Sequence, residues 1–278
     1  MKWRTEVDIP KSKWQVGLDS KVLLVGSCFT ENIGKKMQAY GMHAIINPTG
    51  VLYNPLSIVH SLTGDMRVEI VAHDGMYHSM SHHSKFSGTD SEQVLRQCLQ
   101  SQAALHQSLA DADVVFVTFG TAFVYYRHGQ VVANCHKLPE REFERRRLSV
   151  EEIVTAWRPL IRAYAHKKWV FTVSPIRHQR DGFHANQLSK ATLLMAIEQL
   201  QQDFAEVVTY FPAYEIVLDE LRDYRFYADD LVHPSEAAVE YIWERWCDTY
   251  AAADTREQMQ QRHKEWLRGQ HRKLIVES

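Results

Sequence analysis

Short apolar runs alternate with longer helical patterns along this chain. The first run, residues 21–26, is almost wholly apolar, which is typical of a strand buried on both faces of a parallel sheet. A helical pattern from Thr30 to Tyr40 follows it, and residues 42–47 form the next strand candidate. Strand, helix and strand in this order predict a parallel sheet covered by helices.

The same alternation continues toward the C-terminus. Further strand candidates are residues 114–119, 169–174 and 206–211, and further helix candidates are residues 55–62, 91–110, 148–165, 186–204 and 234–250. Five strands separated by helices predict a doubly wound α/β fold of three layers, α/β/α. We expect one domain over residues 1–278.

Four segments stand outside this alternation. Residues 63–90, rich in glycine, histidine and serine, predict an inserted surface segment with one short strand at 68–72. Two apolar runs, 123–126 and 130–133, predict a hairpin. The basic residues of 141–147 alternate with glutamates, which indicates a solvated loop. Residues 254–278 are polar with helical spacing and predict a C-terminal helical tail.

Charge and cysteine usage exclude several classes of protein. The 278 residues carry 32 basic and 34 acidic side chains, so no net field attracts nucleic acid or an anionic membrane. The apolar runs are too short to span a bilayer, and the charged N-terminus lacks the apolar region of a signal peptide. The four cysteines show no zinc or disulfide spacing. We therefore expect a cytoplasmic protein with reduced thiols, no cofactor and no metal.

Two fragments far apart in the chain carry the candidate chemistry. Gly26-Ser27 follows the first strand, and Asp230-Leu231-Val232-His233-Pro234 precedes the last helix. A serine hydroxyl becomes a nucleophile when a histidine accepts its proton and a carboxylate orients that histidine. Because sites of open α/β sheets lie at the carboxyl ends of the strands, Ser27, His233 and Asp230 predict an acyl-transfer site.

Other interpretations of these residues stay open at this point. Ser27 is also typical of a structural turn or of phosphate binding at a helix start, and Asp229 is a rival for the orienting role. Cys28 is a second candidate nucleophile near a helix N-terminus, but a buried core cysteine is the favoured interpretation.

Arg177 is interpreted as a substrate contact or as an ion-pair partner of Asp181. Four histidines are interpreted as residues of a solvated or substrate-lining loop rather than as metal ligands: His73, His78, His82 and His83.

The order of these residues resembles that of a known superfamily. Ser27 after the first strand, Gly50 after the second, Gly120 after the third and the late Asp230-x-x-His233 are similar to the block pattern of SGNH (GDSL-like) hydrolases. More narrowly, Gly26-Ser27-Cys28-Phe29-Thr30 resembles the signature that names the GSCFA family, with Thr30 in place of its alanine. Further similar motifs are Asn47-Pro-Thr-Gly50, Thr118-Phe-Gly-Thr121, Asn134-Cys-His-Lys137, Ser174-Pro175 with Arg177, and Ala228 to Ser235. The resemblance covers roughly residues 20–250.

The resemblance implies a flavodoxin-like fold and a serine esterase or acyltransferase, with Ser27 as nucleophile, His233 as base and Asp230 as orienter. It implies an oxyanion hole formed by the backbone of Ser27 and Gly50. The asparagine of typical SGNH sites is replaced by Ala122, and Asn134 or Asn54 is the candidate substitute. The implied substrate is a small-molecule or carbohydrate ester, including an O-acetyl ester. The oligomeric state is not predicted.

In a second hypothesis, the protein binds a ligand but does not catalyse a reaction. The missing oxyanion asparagine at Ala122, together with seven tryptophans and twelve tyrosines, is also typical of a non-catalytic module that binds a carbohydrate or metabolite on an SGNH-like scaffold. Ligand binding that does not depend on Ser27 would distinguish this module from an esterase.

Overall fold

The computed structural model describes residues 4–276, and the side chains of residues 4–269. The strands are β1 (Lys21–Gly26), β2 (His43–Ile46), β3 (Ile70–His73), β4 (Met76–Ser79), β5 (Val114–Phe119), β6 (Phe123–Arg127), β7 (Gln130–Val132), β8 (Glu144–Arg147), β9 (Lys168–Val173) and β10 (Val208–Tyr210). The helices are α1 (Cys28–Ala39), α2 (Pro55–Thr63), α3 (Ser91–Asp111), α4 (Val150–Ala163), α5 (Gly182–Asp203), α6 (Ala213–Glu215), α7 (Glu236–Tyr250) and α8 (Ala253–Val276).

Five parallel strands form the central sheet in the order β10-β9-β5-β1-β2. Numbered by their order in the chain and read from the opposite edge, these strands run 2-1-3-4-5, which is the flavodoxin-like order. The prediction of five parallel strands in a three-layer α/β/α fold is confirmed. Chain order reverses between β1 and β5, and ligand sites of such sheets lie at this reversal, beyond the carboxyl ends of the strands.

Alternate residues of β1 enter two separate cores, as the pleat of a strand requires. Leu23 and Val25 pack into the layer that contains α2, α4 and α5. Val22 and Leu24 pack into the layer that contains α1 and α7. Each of these four side chains is less than 5% exposed, and complete burial of a side chain of this size contributes about 1.5–3 kcal/mol.

The hairpin β3–β4 lies within the predicted inserted segment 63–90. This segment is only partly a surface feature, since Ser79, Met80 and His82 are buried. The His83 side chain packs over Gly50, where a Cβ atom would lie 2.2 Å from that of His83. The segment therefore covers the turn that follows β2.

The prediction of a solvated loop at residues 141–147 is wrong. Residues 144–147 form β8, which pairs antiparallel with β6 in a three-stranded sheet. The arginine side chains are held by aromatic rings, because the Arg145 guanidinium lies 4.2 Å from the ring centre of Phe123 and that of Arg146 lies 5.0 Å from Tyr126. Cation–π contacts of this kind stabilise an arginine on a sheet surface.

The last helix, α8, follows α7 after a short break and contacts α1. No helix within residues 4–276 is long and apolar enough to cross a membrane. The assignment of one domain to residues 1–278 stays a prediction, and residues 1–3 and 277–278 lie outside the described part of the chain.

Candidate active site

A groove of about 410 Å³ lies beyond the carboxyl ends of β1 and β5, at the reversal of chain order. Cys28 and His233 line it, together with residues that follow β2, β5 and β9. Its aromatic and charged lining residues are Tyr53, Phe123, Tyr125, Arg145, Arg177, His178, Arg180 and Asp181. The site therefore lies where the fold places the ligands of open α/β sheets.

The turn from β1 into α1 depends on Gly26. Its φ is +138°, and a Cβ atom there would lie 2.2 Å from the carbonyl oxygen of Thr118, so only glycine fits. The Gly26 N–H donates to Asn47 Oδ1 at 2.9 Å. This turn directs the next two side chains, Ser27 and Cys28, to different surroundings.

Ser27 faces the interior rather than the groove. It is 1% exposed, and its hydroxyl has no hydrogen-bond partner among the described residues. Its Cβ lies 3.4 Å from the position of a Cβ on Gly120. The hydrogen bond that the sequence predicts between Ser27 and His233 is not formed in this structure.

Cys28, rather than Ser27, faces His233. Its Sγ atom is 3.7 Å from His233 Nε2, which is within the range of a weak sulfur hydrogen bond. Burial raises the pKa of the Cys28 thiol, while the backbone N–H groups of Cys28 and Phe29 at the start of α1 act in the opposite direction. The thiol is therefore protonated at neutral pH and lies next to a ring nitrogen of His233.

Asp230 holds the other nitrogen of the His233 ring. Its Oδ2 is 2.6 Å from His233 Nδ1, and its Oδ1 accepts hydrogen bonds from the backbone N–H groups of Val232 and His233. Hydrogen bonds from the backbone of His233 and Val232, followed by the one from the ring, lower the pKa of Asp230 to about 2. The carboxylate stays ionised and leaves Nε2 free to face Cys28.

Arg177 anchors the loop that carries Asp230 and His233. Its Nη2 donates to the carbonyl of Leu231 at 2.6 Å, and Leu231 has a left-handed φ of +56°. The guanidinium lies about 5 Å from the ring centres of three aromatic residues: Phe183, Tyr224 and Tyr227. Arg177 does not pair with Asp181, because the described partner of Asp181 is Arg145, at 2.6 Å.

The predicted oxyanion hole is not assembled. The Ser27 N–H donates to the carbonyl of Thr118 at 3.2 Å, and the Gly50 N–H donates to that of Asn47 at 2.8 Å. Both amides are therefore already used in turns of the backbone. Ala122, where SGNH sites have an asparagine, is fully buried in the core on the α2/α4/α5 side.

The two candidate substitutes for that asparagine also hold the backbone. Asn134 Oδ1 accepts from the N–H of His136 at 3.0 Å, and Asn134 does not line the groove. Asn54 lines the groove, but its Oδ1 caps α2 and its Nδ2 donates to Ser57 Oγ. The backbone N–H groups of Cys28 and Phe29, at the start of α1, are next to the Cys28 sulfur and favour a negative charge on it.

Lys190 lies at the carboxyl ends of β5 and β9 and was not predicted from the sequence. Its side chain is completely buried, and its Nζ donates to the carbonyls of Gly120 and Ser174 at 2.7 Å each. Burial lowers the pKa of Lys190 to about 7. The signal in the sequence was its spacing from Leu193 and Ile197, which places it on the apolar face of α5.

His178 lies beside Lys190 on the wall of the groove. Its backbone N–H donates to Asn186 Oδ1 at 3.0 Å, and its Nε2 has no hydrogen-bond partner within the described residues. Burial, and then the charge of Lys190, lower the pKa of His178 to about 4. The ring is therefore neutral at pH 7 and adds no charge to the groove.

The histidines of segment 63–90 lie elsewhere. His82 is buried, with its Nδ1 2.9 Å and 3.0 Å from the hydroxyls of Ser79 and Ser81. His78 stacks on His136 with ring centres 4.8 Å apart. In the part of the chain that the structure describes, no three histidine, cysteine or acidic side chains form a group suited to a metal ion.

The fold and the site together define an α/β protein with a flavodoxin-like sheet, and a thiol, an imidazole and a carboxylate in successive contact lie at the point where its chain order reverses. The chain belongs to the GSCFA family, whose family model matches residues 21–246. A comparison with curated proteins gave no match.

Proposed function

We propose that this GSCFA protein is an acyl-transfer enzyme, an ester hydrolase or acyltransferase, with Cys28 as nucleophile, His233 as base and Asp230 as the residue that orients the base. One observation carries this proposal. Cys28 Sγ, the His233 ring and the Asp230 carboxylate form a continuous series of contacts of 3.7 Å and 2.6 Å on the wall of an open groove. This is the arrangement that activates a thiol for attack on a carbonyl.

The reaction would proceed in two halves. His233 Nε2 takes the thiol proton while Sγ bonds to the acyl carbon and the carbonyl electron pair moves to oxygen. The ester C–O bond then breaks, and His233 returns the proton to the leaving alcohol. Water or an acceptor hydroxyl attacks the thioester, His233 removes its proton, and the thiol is restored by protonation of the departing sulfur.

Ser27 remains the alternative nucleophile, since the resemblance to SGNH hydrolases implies an acyl-serine. A change of the Ser27 environment would be required, because its hydroxyl is 1% exposed and makes no hydrogen bond within residues 4–276. The flavodoxin-like strand order and a nucleophile just after β1 support placement in the SGNH superfamily. With either nucleophile, His233 is the base and Asp230 orients it.

The test distinguishes the two candidate nucleophiles by replacing each of them in turn. The protein is incubated with p-nitrophenyl acetate, quenched in acid and analysed as intact mass, with the variants Cys28→Ala and Ser27→Ala measured in parallel. We expect an acetyl adduct that neutral hydroxylamine removes, that Cys28→Ala abolishes and that Ser27→Ala retains. An adduct lost only in Ser27→Ala identifies Ser27 as the nucleophile, and no turnover in the wild type with any short acyl ester contradicts acyl transfer.

The groove lining supports a polar substrate. Tyr53 supplies aromatic surface of the type on which sugars stack, and Gln179 lines the same groove with a polar side chain. These residues support an O-acylated carbohydrate, including an O-acetyl ester, as the substrate class. We expect the turnover of an O-acetylated sugar to be faster than the turnover of an apolar ester whose acyl chain has the same length.

A non-catalytic binding module is the second candidate. It is favoured by the internal hydrogen bonds of the Ser27 and Gly50 amides and by the burial of Ala122, which together leave the expected oxyanion hole unassembled. Binding of a sugar that is unchanged in Cys28→Ala, combined with the absence of any acyl adduct, would support this function instead.

A further inference from the structure

An exposed cluster of apolar side chains surrounds Arg177 beside the groove. The guanidinium carbon of Arg177 lies 5.3 Å from the ring centre of Phe183, 5.4 Å from that of Tyr224 and 4.9 Å from that of Tyr227. Phe183 is 56% exposed, Tyr224 61% and Leu231 46%. We call Arg177 and these four residues the Arg177 platform. Large apolar side chains that are exposed together mark a binding surface, whereas single ones do not.

The Arg177 platform is continuous with the groove. Arg177 lines the groove, and its Nη2 donates to the carbonyl of Leu231 at 2.6 Å. Its backbone N–H donates at 3.4 Å to the carbonyl of Val232, which also lines the groove. Leu231 and Val232 directly precede His233. The platform therefore adjoins the loop that carries the proposed base.

The platform offers aromatic surface that the groove itself does not. Contact with one guanidinium leaves more than half of Phe183 and of Tyr224 exposed. Phe123 and Tyr125, on the groove wall, are only half-buried and lie against the guanidinium of Arg145. Phe183 and Tyr224 are therefore the rings beside the site that are free to stack on a ligand.

The charges around the platform are balanced. The segment 222–229 has two exposed charged residues of each sign: Arg222, Asp223, Arg225 and Asp229. Arg177 and Asp230 add one more charge of each sign. The surface thus has no net attraction for an anionic polymer or an anionic membrane. It suits a neutral sugar, whose C–H face packs on an aromatic ring while its hydroxyls bond to polar neighbours.

The proposed reaction places the alcohol half of the substrate on the side of the platform. His233 returns its proton to the leaving alcohol, so the alcohol oxygen lies beside the His233 ring when the ester bond breaks. The loop of His233 contacts the platform through Leu231 and Val232. An extension of the alcohol, rather than of the acyl group, therefore reaches the platform.

We propose that the Arg177 platform is a second sugar-binding subsite, on which the part of an acylated oligosaccharide that extends out of the groove stacks against Phe183 and Tyr224. The proposal rests on the proposed function for the carbohydrate class of the substrate. It goes further by assigning a neutral chain of several sugar units and by naming two residues that select for chain length.

The test measures the binding of sugars that carry no ester. Wild-type protein is titrated by isothermal calorimetry with cellohexaose, xylohexaose, mannohexaose and chitohexaose, and with the four matching monosaccharides. We expect at least one hexasaccharide to bind at least about tenfold more tightly than its monosaccharide, because stacking on exposed rings contributes a factor of this size. If every hexasaccharide binds no more tightly than its monosaccharide, the proposal is overturned.

Alanine variants locate the binding surface. Phe183→Ala and Tyr224→Ala should each weaken the binding of that hexasaccharide by about tenfold. Trp266→Ala is the matched control, since Trp266 is an aromatic residue of α8 that is 44% exposed and does not line the groove, and its affinity should equal that of the wild type. Wild-type affinity in both platform variants overturns the proposal, as does an equal loss in Trp266→Ala.

The outcome is independent of the test of acyl transfer, because none of these measurements uses an ester or depends on the identity of the nucleophile. An acetyl adduct without preferential binding of a hexasaccharide leaves an esterase of small substrates and overturns the platform. Preferential binding that Phe183→Ala and Tyr224→Ala weaken, without an acetyl adduct, supports the platform and contradicts acyl transfer.

Discussion

The Sγ atom of Cys28 lies 3.7 Å from Nε2 of His233, although 205 positions separate the two residues in the chain. Cys28 begins α1, and His233 stands in the loop just before α7. The two helices pack against each other in the same layer. The contact is therefore set by helix packing rather than by any local sequence motif.

Asp230→Asn should lower the rate of ester hydrolysis by at least about 100-fold, because the amide keeps an oxygen for the backbone of Val232 and His233 but presents an NH₂ group to Nδ1 and so imposes the wrong tautomer on the ring. Steady-state kinetics with p-nitrophenyl acetate measure this effect. Asp229→Asn is the matched control, since that neighbouring carboxylate makes no hydrogen bond within the described residues. An unchanged rate in Asp230→Asn contradicts the orienting role.

Gly26→Ala should destabilise the protein by about 3 kcal/mol or more, because the new Cβ meets the Thr118 carbonyl at 2.2 Å in a backbone conformation that favours glycine. Gly75→Ala is the control, since its φ is also positive at +71° but nothing lies within 4 Å, and about 1 kcal/mol is expected there. Urea unfolding measures both free energies. Equal losses in the two variants would mean that the contact with Thr118 is unimportant.

Arg177→Gln should loosen the loop that carries Asp230 and His233, because the hydrogen bond to the Leu231 carbonyl is lost. We expect amide exchange at Val232 and His233 to become at least about tenfold faster, with a lower kcat. Hydrogen exchange followed by mass spectrometry measures this change. In Arg180→Gln, which removes bonds to Tyr125 and Glu140 on the same groove, loop exchange should match the wild type. Wild-type exchange in Arg177→Gln excludes the anchoring role.

Acidification should destabilise the protein through His82. Burial lowers the pKa of His82 from 6.5 to about 4, so the unfolded chain binds a proton that the folded chain does not. The stability due to this group is complete above pH 6.5 and is lost as the pH falls to 4, which amounts to about 3 kcal/mol. Unfolding free energies at pH 7 and pH 4.5 should differ less in His82→Gln than in the wild type. His43 is exposed, so the pH dependence of the unfolding free energy in His43→Gln should match that of the wild type. If the pH dependence in His82→Gln also matches the wild type, His82 is not the cause.

The central sheet was predictable because its three middle strands, β1, β5 and β9, are buried on both faces. The run Val114–Phe119 has the bounds that its apolar composition indicates, and its end at Gly120 marks the site edge. Strand β8 was not predictable from its own residues. Arg145 and Arg146 are stabilised in a strand by pairing with β6 and by aromatic rings more than 18 positions away in the sequence.

The neighbourhood of the site was also predictable, but the identity of the side chain that faces the base was not. Ser27 and Cys28 both follow β1, and which one enters the groove depends on the turn at Gly26, whose φ of +138° no local pattern specifies. The hydrogen bonds that occupy the Ser27 and Gly50 amides involve Thr118 and Asn47. These pairings follow from the register of neighbouring strands, which a single sequence does not specify.

The two walls of the groove belong to different layers of the fold. Cys28 and His233 are carried on the side of α1 and α7, whereas Phe123, Tyr125 and Arg145 stand on the small sheet at the opposite side. A small sliding of one layer over the other would widen or narrow the groove without changing the distance between thiol and imidazole. The size of the molecule that fits this groove therefore depends on the spacing of the two layers, whereas the distance between thiol and imidazole depends on the packing of α1 and α7.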